Sequence, residues 1–519
     1  MGLPRFVEED LVFLSWVLSG LKIHVSLVRF RPEPLLPNRQ TRLASVSGTL
    51  VMNDRVKLNS GPKESGGRES WEASSPKMTK SKRPQLRRAI RLPHATAMVV
   101  GTIIGSAIFV QPSSVTSLVP SVTGILLVWL ASGILTLFGA LVCAELSSTF
   151  SQSGGVYIYL KEAFSPVFGF LWGWAMFWVM HSGIIAAVAV ICSRYVAYFI
   201  PMSDGGIKGV AISIVLILSL VNYFGVKPGS MLQTGITVVK ILAIVLIIIA
   251  GFILGSDLPQ HFAVGNLPDT GVTLENFLLA MIAGLFTFGG WHMVTYNSEE
   301  TVKPRNTIPH SLILGIIIVT FCYVAMNGVY LYILPLETVA ASSRIAADAA
   351  DKLLGFGGGA FMSGLVVFST FGTLSGIILA GPRVYYSMAQ DDMLFGWMGN
   401  IHPKYLTPAK GLMIQAVWSS VLVWTGTYRE LFTRVIYTEW IFFGLMAIGL
   451  ILLRRRSDLS REYHIWGYPV VPLLFAFFSF LIVLNQVVSD PTESIVGLSL
   501  VLTGLPVYYF WSKSKQKRN

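Results

Sequence analysis

The stretch "VVGTIIGSAIFVQ" (residues 99–111) lies in an otherwise apolar run and carries two glycines four apart, Gly101 and Gly105, followed at once by Ser106. Two readings compete. Small residues at this spacing let two membrane helices approach closely. Glycine is also what a helix needs where it is broken inside a membrane to expose its backbone. The surrounding sequence decides between them.

The chain has 519 residues, 53% of them hydrophobic and only 13% charged, well under the roughly 25% charged fraction of soluble domains. That argues against a soluble globule. Runs of about 20 apolar residues, enough to cross a hydrocarbon core, recur at 94–117, 121–148, 167–199, 207–224, 231–254, 275–298, 308–333, 358–388, 411–427, 431–453, 467–488 and 493–511. The expectation is an all-α, multi-pass membrane protein with twelve transmembrane helices.

A net charge of +12 would suggest nucleic acid in a soluble protein, but the positions of the basic residues point to topology instead. They crowd the approach to segment 1 (Lys77, Lys80, Lys82, Arg83, Arg87, Arg88, Arg91), the 6–7 loop (Lys303, Arg305), the 8–9 loop (Lys404, Lys410), the 10–11 loop (Arg454, Arg455, Arg456, Arg461) and the tail (Lys513, Lys515, Lys517, Arg518). The stretch Gly255 to Thr273 has none. Both termini are therefore expected in the cytoplasm of a cell-membrane protein, and no nucleic-acid partner is expected. Cys143, Cys192 and Cys322 all fall within apolar runs, where cysteine behaves as a small hydrophobe.

Residues 1–77 differ in kind. "NSGPKESGGRESWEASSPK" mixes charge with Pro, Ser and Gly and cannot bury enough surface to order itself. The earlier "LVFLSWVLSGLKIHVSLV" is interrupted by Lys22 and His24, and the acidic "EED" before it is the wrong flank for a secretory signal. We expect a disordered extension, with Met78 an alternative natural start, and a transporter domain over 78–519.

A second interruption settles the opening question in favour of a break. In "GLFTFGGWHMVTYNSEE" (Gly284 to Glu300), Gly289 and Gly290 stand in mid-segment. Two glycine-broken segments, the first and the sixth, imply two halves (about 90–255 and 270–455) with segments 11 and 12 (about 467–512) appended, a pattern that points to a midplane binding site between inverted repeats. Unwound backbone is costly in a membrane unless it lines a polar cavity or meets a ligand. Freed N–H groups suit a carboxylate and freed carbonyls an ammonium, so an α-amino acid fits both, with a small amine or an ion alone as the alternatives.

At these residues the chain resembles a known family. "GTIIGSAIF" is similar to a G-x-x-I-G-S-G-I-F motif in segment 1, "FGGW" with the following "SEE" to the motif of segment 6, and "SGGVYIYLKEAFSP" (Ser153 to Pro166) to the loop after segment 2. Together they resemble the amino acid/polyamine/organocation superfamily, and within it the L-type amino acid transporters and the bacterial serine/threonine-exchanger-like group.

The resemblance implies a LeuT-type 5+5 inverted repeat working by alternating access. It implies that the N–H groups of Gly105, Ser106 and Ala107 hold the substrate carboxylate and the carbonyls of Ile103, Phe286 and Gly289 its amine. Phe286 would be the aromatic gate, and Trp440 would wall the side-chain pocket. It further implies that Lys240, central in "TGITVVKILAIVL", bridges segment 1 to segment 8 where sodium-dependent relatives bind sodium. Thr373, Ser375 and the carbonyl of Gly101 or a neighbour are its candidate partners. Two departures are Ala107 in place of glycine and His292 in place of asparagine. Animal members pair with a heavy chain through a cysteine in the 3–4 loop, but "FIPMSDGGIKG" has none, so no disulfide-linked partner is expected.

An unpaired intramembrane charge costs roughly 2.5–3.5 kcal/mol, so Lys240 and the carboxylates Glu145 and Glu439 demand a reason. Glu439 either couples to transport or pairs structurally with a hydroxyl or Arg434. His181 and Asn327 read as interhelical hydrogen-bonding groups. The chain lacks a phosphate-binding G-x-x-x-x-G-K-[ST] loop, a metal-spaced Cys/His cluster and a G-x-S-x-G turn, so no enzyme, ATP-driven pump or cofactor is expected. The reading is a sodium-independent carrier of small or neutral amino acids, an exchanger or a proton-linked symporter. A cationic amino acid or polyamine permease and a non-transporting amino acid sensor are the alternatives.

Overall fold

The computed structural model describes residues 90–224, 226–255, 272–355, 357–405 and 407–516. The disorder expected for residues 1–77 therefore falls outside the described residues. Segment 1 forms α1 (Leu92–Ile103), a 3-10 turn (Ala107–Phe109) and α2 (Gln111–Leu118); segment 2 is α3 (Val122–Thr149). The loop after it contains a short helix, α4 (Val156–Ala163). Segment 3 is α5 (Pro166–Ala175), a π-helical turn (Met176–Met180) and α6 (His181–Val196), followed by α7 (Asp204–Tyr223) and α8 (Val226–Leu254). Segment 6 is α9 (Leu274–Thr287) and a 3-10 stretch (Trp291–Glu300), and segment 7 is α10 (Pro304–Ile333). Two short helices, α11 (Leu336–Ala341) and α12 (Ile345–Leu354), precede α13 (Gly358–Gln390). Then come α14 (Ala409–Thr425), α15 (Tyr428–Leu453), α16 (Val470–Ser489), α17 (Pro491–Leu502) and α18 (Gly504–Gln516).

Among the described residues eleven helical runs are long and apolar enough to cross a membrane. The ninth expected segment is the exception. α14 has 17 residues, about 25 Å at 1.5 Å per residue, short of the ~30 Å hydrocarbon core. The helix ends follow local chemistry. Ser121, Ser203 and Thr273 each accept a hydrogen bond from a backbone N–H of the first turn, and Thr427 with Glu430 forms a reciprocal capping box; both devices satisfy donors that the first turn cannot.

Burial separates centre from periphery. On α6, 14 of 16 residues are buried, as expected of a helix surrounded by others. On α7, by contrast, Ile217, Leu220 and Val221 are half exposed, an apolar face turned to lipid. Pro382 inside α13 cannot donate to the carbonyl four residues back. Gln415 of α14 donates to that carbonyl, Ile378 O, at 3.1 Å, and His181 Nε2 lies 2.8 Å from Ile377 O. His181 thus bonds between helices as expected, whereas Asn327 donates to Tyr323 O on its own helix.

The chain order puts the start of α1, α4, the end of α13 and the 10–11 loop on one side of the bundle, and α11 and α12 on the other. On the α4 side, residue 90 pairs with the end of segment 6: Ile90 N–H donates to Glu300 O (3.0 Å) and Val302 N–H to Ile90 O (2.8 Å).

Candidate functional site: two broken helices and a buried lysine

Both interruptions lie where the glycines stand. α1 ends at Ile103 and helical backbone resumes at Ala107. α9 ends at Thr287, and Gly290, at φ +90°, takes a left-handed conformation that favours glycine before the 3-10 stretch begins. The two glycines of segment 1 divide the two readings between them. A Cβ on Gly101 would stand 2.2 Å from Thr237 Oγ1 of α8, so Gly101 provides a close packing contact inside α1. Gly105 belongs to the break, where a Cβ would press on Thr373 Cγ2 at 3.2 Å.

Breaking the helix frees carbonyls on one side and N–H groups on the other, and each needs a partner. Lys240, 3% exposed on α8, takes the carbonyls. Its Nζ lies 3.1 Å from Gly101 O, 2.7 Å from Ile104 O and 2.5 Å from Thr373 Oγ1 of α13, three acceptors for three ammonium hydrogens. The Thr373 hydroxyl in turn lies 3.1 and 3.2 Å from the same two carbonyls. Ser375 does not join this group; it bonds Asn222 of α7 instead. Residues two apart on a helix differ by about 200° around its axis, so only one of the pair can face Lys240.

Sequence reasoning missed Tyr323. Buried on α10, its hydroxyl lies 2.9 Å from Ile103 O and 3.1 Å from Thr287 O, so one side chain spans both breaks. A tyrosine in the middle of the apolar run "IIIVTFCYVAMNGVY" was the available signal, since a buried hydroxyl seeks a partner. Ile103 O also accepts from Gly105 N–H at 2.7 Å, and Phe286 O accepts from Gly289 N–H at 2.9 Å. Two of the three carbonyls expected to meet an amine therefore already accept bonds.

On the other side of the first break, Gly105 N–H is engaged, whereas Ser106 and Ala107 N–H have no acceptor among the described residues. The buried Ser106 hydroxyl likewise has no hydrogen-bond partner among the described residues. Phe286 is buried, with its ring centroid 5.3 Å from that of Phe432 on α15. Trp440 has its ring against Phe443 and against Phe475 of α16. Phe432, two turns earlier, is the α15 aromatic that meets Phe286.

Glu439 is buried on α15 within electrostatic reach of Tyr296, and among the described residues it makes no ion pair. Its suggested partner Arg434 lies 3.8 Å from Glu430. Glu145 is fully buried and accepts from Arg454 Nε and Nη2 at 2.7 and 2.6 Å and from Ile465 N–H at 2.8 Å, an intramembrane carboxylate with structural partners. His292 packs edge-on against Trp172, Trp291 and Phe443.

Contacts bridge the segments on both sides of the breaks. On the α4 side, Glu299 accepts from Ser153 N–H at 3.2 Å, Arg383 lies 3.3 Å from Glu300, and Asp391 accepts from Tyr157 OH and Lys161 Nζ, both at 2.7 Å. Burial beside the Asp391 carboxylate pushes the Tyr157 hydroxyl well above its ordinary pKa, so it remains a donor. On the α12 side, Tyr195 OH donates to Phe109 O at 2.7 Å and Arg344 stacks on Tyr198. Next to the breaks is a cavity of about 20 Å³, lined by Met98, Thr102, Met293 and Asn297 among others, room for about one water.

Residues 90–508 match the amino acid permease family. The serine/threonine exchanger SteT of Bacillus subtilis is 31% identical over 434 residues, covering 83% of this chain and 98% of its own. The human b(0,+)-type amino acid transporter 1 is 30% identical, with 85% and 91% covered. The human large neutral amino acids transporter small subunit 2 is 32% identical, with 88% and 86% covered.

Proposed function

The chain belongs to the amino acid permease family, and from that premise we propose that it is a sodium-independent secondary transporter of small or neutral amino acids. The observation that carries this reading is the pairing of unbonded N–H groups at Ser106 and Ala107 with a lysine over the neighbouring carbonyls. The first offers a carboxylate two donors. The second supplies, from the protein itself, the positive charge that a sodium ion would bring. The same site and the sequence relatives favour exchange by alternating access.

In this reading the substrate carboxylate sits on the N–H groups of Gly105, Ser106 and Ala107. Ile103 O already accepts two hydrogen bonds, so the ammonium rests mainly on the carbonyls of Phe286 and Gly289. Phe286 closes over the substrate with Phe432 at its side, and Trp440 walls the side-chain pocket. The α4 side faces the cytoplasm, both termini included, and the membrane is the cell membrane. The halves 90–255 and 270–455 move against each other, and the chain works without a disulfide-linked subunit, as the lack of a cysteine in the 3–4 loop suggests. A cationic substrate would need a carboxylate in the pocket. Glu439, the buried candidate on α15, faces Tyr296 in the α4-side half of segment 6, so neutral substrates are the better fit.

Gly105→Leu tests the site. A leucine side chain would press on Thr373 and cover the carboxylate position, so uptake should fall to background while the purified protein stays monodisperse. Transport at the wild-type rate by this variant would refute the placement of the carboxylate.

A further inference from the structure

A second cavity, of about 180 Å³, lies between α8, α10, α12 and α13, away from the breaks and toward the α12 side. We propose that it holds an acyl chain of a bilayer phospholipid. Its floor is buried: Val329, Tyr330 and Ile333 of α10 and Met362 of α13 are each at most 1% exposed. Its rim is the opposite, with Leu246 at 65% and Phe361 at 67%. Both rim residues lie on helices long and apolar enough to span the membrane, so the mouth opens onto hydrocarbon rather than water.

The space comes from small side chains, not from separated helices. Five lining positions are alanine: Ala243, Ala250, Ala346, Ala349 and Ala350. Next to them α8 and α10 are in close contact, for a Cβ on Gly251 would stand 2.3 Å from Val329 Cγ1. An aliphatic-lined cavity of comparable size stays dry and takes up a small hydrocarbon, because its walls otherwise forgo dispersion contacts.

The lining selects among amphiphiles. It contains no charged side chain, and its one hydroxyl, on Tyr330, lies at the buried floor. An amphiphile that buried its polar group here would leave it unpaired. A phospholipid leaves its headgroup at the bilayer surface and inserts only a chain. The chain would brace α12 against α8 one helical turn from Lys240, since Ala243 follows Lys240 by three residues.

The test uses the full chain in liposomes of phosphatidylcholine carrying a diazirine in the acyl chain, with the adducts mapped by peptide mass spectrometry. Label is expected on the peptides covering 243–250 and 346–353. It should be lost in Ala349→Phe, and in the milder Ala250→Leu, while label on the lipid-facing peptide 216–221 of α7 persists and shows that the variants are folded and embedded. Equal labelling of the cavity peptides in wild type and both variants would overturn the proposal. So would their displacement by unlabelled fatty acid or cholesterol but not by unlabelled phosphatidylcholine. As a second readout, adding phosphatidylcholine to delipidated protein should raise the Tm of wild type and leave that of Ala250→Leu unmoved; equal shifts in both would also contradict it.

Discussion

Lys240 directs its ammonium at two backbone carbonyls and a threonine hydroxyl, which is how a charge that costs roughly 2.5–3.5 kcal/mol at the membrane centre is accommodated. Replacing it with methionine leaves the single hydroxyl hydrogen of Thr373 to serve Gly101 O and Ile104 O, so one of the two is stranded at about 1–3 kcal/mol. Lys240→Met should therefore abolish exchange and lower the thermal midpoint; a fully active, equally stable variant would show that the lysine is dispensable. Tyr323 is the companion case. Its hydroxyl spans Ile103 O and Thr287 O, so Tyr323→Phe should slow exchange and cost about 1–3 kcal/mol, read by counterflow rate and thermal denaturation. Lys240 was legible because a charge in an apolar run stands out. Tyr323 was not, because tyrosine is a common membrane residue and only the fold brings its hydroxyl to both breaks.

At the scale of elements, the breaks were legible and their surroundings only partly so. Gly105, Gly289 and Gly290 mark the interruptions because irregular backbone needs glycine, but Gly101 serves contact with Thr237 on α8, a partner far away in sequence. The helical period separates Thr373 from Ser375 without any structure: about 200° apart on one helix, they cannot share a partner. Thr373→Ala should accordingly cut transport severely by releasing Lys240 and the first break, and Ser375→Ala, which touches only Asn222, should change it little. Measured side by side, equal losses would mean that Lys240 is held otherwise. Phe432 stands eight residues before Trp440 on α15, about 80° away around the helix. Phe432 meets the ring of Phe286, and Trp440 meets that of Phe475 on α16.

At the scale of the whole molecule, twelve apolar runs stand against eleven helical runs of spanning length among the described residues, with α14 shorter, because a hydropathy run does not show where a helix begins and ends. The short helices α4 and α12 were invisible to the same criterion, yet α4 carries Lys161 and Tyr157, and Arg344 caps α12, residues that bridge segments on the two sides. These bridges are single polar contacts, a construction suited to opening one side at a time. The central claim concerns what passes between them. It is tested most directly by counterflow in proteoliposomes of the full chain, preloaded with an unlabelled amino acid mixture and supplied outside with labelled amino acids, with and without sodium. The account predicts accumulation of a small or neutral amino acid at equal rates in the two media. Accumulation only with sodium, or none by protein that still binds the amino acid, would contradict it.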